Sequence, residues 1–138
     1  MPERDLFHDV VKTALQKDGW TITHDPLYLR LGIIQMFIDL GAEKVIAAEK
    51  AGRKIAVEIK GFTSLSLVNE FHTALGQFIN YREALNEEQP ERVLYLAVPE
   101  DIYATFFALS FVHDVIQRYD VKLIAYNVQK EEIMRWTE

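Results

Sequence analysis

The apolar positions change period several times along the chain, and each change marks an element. In the opening "RDLFHDVVKTALQKDGW", Leu6, Val10, Val11, Ala14 and Leu15 recur every three or four residues, and the run stops at Gly19. That spacing lays one apolar stripe along a helix and predicts a first helix over residues 4–17. "WTITHDPLYLRL" then alternates around Asp25-Pro26, which predicts a short strand, a turn and a further extended piece. In "FIDLGAEKVIAAEKAGRKIAVEIKGF" two β-rich segments flank a polar stretch from Lys50 to Lys54, where Gly52 offers the backbone freedom of a turn. A hairpin is expected there.

The helical period returns with Leu67, Phe71, Ala74, Leu75, Phe78, Arg82 and Leu85, with Ser64 or Ser66 placed to cap the start and Pro90 following the end. "RVLYLAVP" is a continuous apolar run closed by Pro99, the pattern of a central strand covered on both faces. Residues 101–118 read as helix, "VKLIAYNV" as strand and "QKEEIMRWTE" as a terminal helix or tail. Helix, strand, hairpin, helix, strand, helix, strand packs as an α/β fold, a mixed central sheet flanked by helices.

Composition narrows the function classes. At 138 residues the chain is expected to form one domain over 1–138. With 49% hydrophobic and 26% charged residues it reads as globular, and no segment supplies the ~20 apolar residues of a membrane span. No cysteine occurs and no basic stretch leads into an apolar run at the start, so a cytoplasmic location is expected. The net charge of −6 argues against a broad phosphate-binding surface, which needs Lys and Arg in excess. Any DNA contact is expected to be local, metal-bridged or shared with a partner.

The stretch "AVEIKGF" carries the candidate chemistry. Alternation places Ala56, Glu58 and Lys60 on one face of a strand and Ile55, Val57 and Ile59 on the other. Burying an acid and a lysine is costly unless they pair or bind a metal. One reading is a solvent-facing Glu/Lys pair. The other is a divalent-metal site, in which a carboxylate holds Mg²⁺ or Mn²⁺ and a nearby cation serves the attacking water or the phosphorane charge. A second carboxylate for that site is sought in Asp39, Glu43 or Glu49, of which Asp39 and Glu43 share parity and Glu49 borders the turn.

On the following helix, Gln77 and Tyr81 lie four apart and share a face, as a polar helix edge or as site residues. Asp5, His8 and Asp9 form an acidic, imidazole-containing cluster within about one turn of the first helix, where acids also suit the helix N-terminus. His24 is expected in a turn, His72 on a polar helix face and His113 packed beside Phe107 and Phe111. No His/Cys spacing typical of zinc and no glycine-rich phosphate loop is present.

With those residues in place, the helix, "IDLGAEKVIAAEKAGRKIAVEIKGF" and "GQFINY" resemble the PD-(D/E)xK nuclease superfamily. That resemblance implies a restriction-endonuclease-like αβββαβ core. Glu58 and Lys60 match its Glu-x-Lys, and Gln77 with Tyr81 matches its helical Gln-x-x-x-Tyr. Counting back from Glu58 without a gap lands on Val45, which cannot bind metal. Asp39, the first choice, or Glu43 therefore requires a bulge or longer turn. More narrowly, "KDGWTITHDP", "AAEK", "IAVEIKGF", "ALGQFINYREAL", "LYLAVP" and "IMRW" are similar to the XisH family, the fdxN element excision controlling factors of cyanobacteria.

The family resemblance implies a role in excising a DNA element during heterocyst differentiation, beside a recombinase and an XisI-like companion factor. Three functional expectations follow. In one, the chain is a Mg²⁺- or Mn²⁺-dependent endonuclease in which Asp39 and Glu58 bind metal, Lys60 orients water or stabilises charge, and Gln77 and Tyr81 position DNA. In another, it is a regulator acting through partner binding, as a homodimer or with the XisI-like factor. A plain interaction module is the third alternative.

Overall fold

The computed structural model describes residues 3–46 and 51–137. Helix α1 (Glu3–Lys17) buries Val10, Val11, Ala14 and Leu15 of the stripe its spacing predicts, while Leu6 at its first turn stays exposed. The chain turns out of it through Gly19, whose φ of 93° suits a residue without a Cβ. The strands β1 (Thr21–His24), β2 (Leu27–Leu31), β3 (Ile34–Ile38), β4 (Leu40–Ile46) and β5 (Ala51–Ile59) follow. Helix α2 (Leu67–Glu88), strand β6 (Arg92–Pro99), helices α3 (Glu100–Ala104) and α4 (Ser110–Arg118), and strands β7 (Leu123–Asn127) and β8 (Glu132–Trp136) complete the chain.

Six strands form one mixed sheet in the order β1-β4-β5-β6-β7-β8, while β2 and β3 form a separate hairpin. β4 and β5 pair antiparallel, β5 with β6 and β6 with β7 parallel, and β7 with β8 antiparallel. Each parallel step is spanned by helix, because the chain must return the length of the sheet.

Alternation along the strands builds a core on each face. Ile55 and Val57 of β5, Tyr95 and Ala97 of β6, and Ile124 and Tyr126 of β7 pack with Val10, Val11 and Leu15 of α1. Ala56 of β5 and Leu94, Leu96 and Val98 of β6 pack instead with Phe71, Ala74 and Phe78 of α2. The unbroken apolar run of β6 thus reflects burial on both sides.

Four expectations need correction. The hairpin turn does not occupy Lys50–Lys54: Gly52, Arg53 and Lys54 already belong to β5 and pair with Val45, Lys44 and Glu43, whereas residues 47–50, including Glu49, lie outside the described residues. The apolar stretch "IIQMFI" supplies an additional strand, β3, paired with β2 across Gly32 at φ 62°. The helix over 101–118 is interrupted by a 3-10 turn at Phe106–Ala108, which buries Phe106 and Phe107 together.

The terminal segment is strand, not helix or tail. Glu131, at φ 53°, helps turn the chain back onto β7. Trp136 then rests against Trp20 and Tyr95, with ring centroids 5.6 and 5.0 Å apart. The aromatic contact outweighs the helical propensity of "QKEEIMRW".

Candidate functional site

A recess of about 210 Å³ opens at the C-terminal end of β5 and is lined by Phe7, His8, Asp39, Glu58, Ile59, Lys60, Gly61 and Thr63. The β4–β5 register makes it. Leu40 stands opposite Val57, so Asp39, one residue before β4, falls beside Glu58. The contacts are reciprocal: Asp39 N–H donates to Glu58 Oε1 at 3.3 Å, and Ile59 N–H donates to Asp39 Oδ2 at 2.8 Å. Backbone donors therefore hold both carboxylates in place.

Asp39 and Glu58 are 5% and 6% exposed, so the two acids share a nearly dry position. Burial pushes the Glu58 carboxyl up to about 8, the charge of Asp39 adds to the rise, and Lys60 together with the Asp39 N–H offsets part of it. Lys60 Nζ lies 3.7 Å from Glu58 Oε2, and its backbone N–H donates to Ala97 O at 3.0 Å.

Phe7 and His8 of α1 close the other wall. Gly61 lets the ring approach closely, since an added Cβ would fall 2.7 Å from the Phe7 ring and push it aside. His8 Nε2–H donates to Asp25 Oδ1 at 2.6 Å, and Lys12 Nζ donates to Asp25 Oδ2 at 2.8 Å. Burial works to raise the Asp25 carboxyl, but the hydrogen bonds from Lys12 and His8 outweigh it and hold the group below its ordinary value.

The remaining candidates lie elsewhere. Glu43 shares the parity of Asp39 but sits four residues along β4, 3.8 Å from both Lys54 Nζ and Arg92 Nη2; it is not an alternative first acid for this recess. Asp9 is exposed and does not line it, and the side chain of Asp5 lies outside the described residues.

Gln77 and Tyr81 share a face of α2, but neither lines the recess. Tyr81 packs against the α2-side core, and Gln77 Oε1 is buried with no hydrogen-bond partner among the described residues. His72 is exposed on α2 as expected. His113 is exposed beside Asp114 rather than packed, because Val112 and Ile116 take the buried face of α4.

Sequence reasoning gave no part to Asp25, Lys12 or Phe7 in the site. Asp25-Pro26 signals only a turn, and nothing in the chain order shows that this turn lies against α1.

The model of the XisH protein family matches residues 1–134. A search of the curated proteins found no match. Two solved structures are similar over nearly the whole chain. One is an XisH family protein from Nostoc punctiforme PCC 73102, 51% identical, with a TM-score of 0.88, covering 97% of this chain and 100% of its own. The other, from Anabaena variabilis, is described as an fdxN element excision controlling factor protein; it too is 51% identical with a TM-score of 0.88, covering 98% of this chain and 100% of its own. The chain belongs to the XisH family.

Proposed function

We propose that this chain is a controlling factor for site-specific excision of a DNA element, and that it works through a nuclease-type pocket at Asp39, Glu58 and Lys60. Family membership and the excision-factor relative support the first part. The observation carrying the second is the buried Asp39/Glu58 pair with Lys60 beside it. The order α1, antiparallel β4–β5, α2 and parallel β6 supports reading the core as PD-(D/E)xK-like. The developmental setting of heterocyst differentiation in cyanobacteria is carried over with the family.

The donor set fits a small, hard dication. Mg²⁺ and Mn²⁺ prefer oxygen ligands, and Mg²⁺ commonly keeps several waters while taking one or two carboxylates and a substrate phosphate. Among the described residues no cluster of three metal-ligating side chains exists, so Asp39 and Glu58 would hold the ion and leave its other positions to water and phosphate. A bound dication supplies charge neutralisation and a more acidic water. Asp39, fixed by Ile59 N–H, and Glu58, fixed by Asp39 N–H, orient their oxygens; Lys60 holds positive charge where a phosphate would carry its negative charge.

Calorimetric titration with Mn²⁺, comparing wild type with Glu58→Ala and Asp39→Ala, tests the pocket, followed by nicking assays on supercoiled and branched DNA. Mn²⁺ binding lost in both variants, with cleavage by wild type alone, is expected. Cleavage retained by Glu58→Ala would overturn the assignment.

The net charge of −6 favours a second reading, a non-cleaving regulator that acts as a homodimer or with an XisI-like companion and meets DNA indirectly. Mn²⁺ binding without nicking, with co-elution of that companion, would select it.

A further inference from the structure

The recess has a second wall that the metal reading leaves unused. His8 lies in α1, its side chain only 15% exposed, and it faces the same recess as Asp39, Glu58 and Lys60. Its Nε2–H is committed to Asp25 Oδ1 at 2.6 Å, while Nδ1 has no hydrogen-bond partner among the described residues. Asp25 is in turn held by Lys12 at 2.8 Å, so its carboxylate stays ionised and fixed. A carboxylate bound to one imidazole nitrogen sets the tautomer and ring orientation, leaving the other nitrogen's lone pair to accept a proton.

We propose that His8 is a catalytic residue of this pocket, the base that takes the proton from the water attacking a phosphodiester, with Asp25 as its positioning residue. This rests on the nuclease-type reading above. As the water oxygen bonds to phosphorus, the bond from phosphorus to the leaving oxygen breaks. His8 Nδ1 takes the water's proton, the leaving oxygen takes one from solvent, and His8 later returns its own to solvent. Lys60 then has a single task, to hold the phosphate charge.

The alternative is a purely structural role, the dyad pinning α1 to the Asp25-Pro26 turn. Mn²⁺-dependent nicking of supercoiled DNA by wild type, His8→Ala, His8→Gln and Asp25→Asn separates the two, with Mn²⁺ affinity and thermal melting measured for each. His8→Ala is expected to lose about 100-fold in kcat, to keep its Mn²⁺ affinity, and to regain activity with added imidazole. His8→Gln shows the same loss should His8→Ala fail to fold, and Asp25→Asn lowers kcat with little change in KM. Full activity in the His8 variants, lost Mn²⁺ affinity, or no rescue by imidazole would overturn the role of His8 while leaving the metal pocket standing. A wild type that binds Mn²⁺ but does not nick DNA would remove the nuclease reading and, with it, the role of His8.

Discussion

The β4–β5 pair carries one polar cluster midway along it and another where β4 begins, and the two are built on opposite principles. Near Glu43, Arg92 is buried among acceptors: Nη1 donates to Ile55 O at 2.8 Å, Nε donates to Gln89 Oε1 at 2.8 Å, and Nη2 lies 3.8 Å from Glu43. Burial lowers the Arg92 pKa, while Glu43 and Glu91 act to raise it. The guanidinium there has opposite charge and carbonyl oxygen around it. Where β4 begins, two carboxyl groups, Asp39 and Glu58, are set side by side with Lys60 Nζ 3.7 Å from Glu58, and Glu58 meets the crowding by holding its proton. A cluster that satisfies itself holds strands together, whereas one that crowds two acids holds a proton that a cation can replace. The same strand pair therefore provides a structural joint and a candidate site.

The sharpest way to break that contrast is Arg92→Ala. It removes the donor to the buried Ile55 O and leaves the half-buried Gln89 side chain without the guanidinium, so a loss of about 3 kcal/mol in stability is expected from denaturant unfolding. A change within experimental error would show that the Arg92 cluster is no joint.

Glu58→Gln should act in the other direction. In the metal-free native state Glu58 keeps its proton up to about pH 8, while the unfolded chain releases it near 4.5. The native state thus binds more protons between those values, and stability falls as pH rises through the window, by up to about 1.4 kcal/mol per pH unit. In Glu58→Gln that part of the slope disappears, and the variant outlasts wild type at pH 8 in thermal melts without metal.

Metal binding carries the reciprocal signature. Because Glu58 must give up its proton to bind, apparent Mn²⁺ affinity should rise up to about tenfold per pH unit below pH 8 and level off above it. Calorimetry in buffers of different ionisation heat should show protons released at pH 7. Asp39→Asn removes one of the two acids and part of the push on Glu58, so the stability slope should move toward lower pH as Mn²⁺ affinity is lost. Glu43→Gln makes the smallest change, below about 0.5 kcal/mol, since Glu43 is 39% exposed and its ion pairs are long.

Several features of this architecture were legible along the chain. Apolar spacing located α1 and α2, the unbroken "RVLYLAVP" located a strand buried on both faces, and Glu58 and Lys60 declared themselves as charged groups inside an apolar run. Ser66 caps α2 by accepting from Asn69 N–H at 3.2 Å, a local interaction that local sequence can announce. The β3 strand and the terminal β8 were harder to read, because their pairing depends on what they pack against.

The sequence by itself determined periodicity, capping and the presence of costly charges, since these depend on residues within a few positions of one another. Only the tertiary structure decided between Asp39 and Glu43, because strand register sets which acid of equal parity stands beside Glu58. Only it brought Asp25 and Lys12, from a turn and a helix, to fix His8 at the same recess. Register and docking are settled by burying two apolar faces at once, a global condition that no single segment encodes.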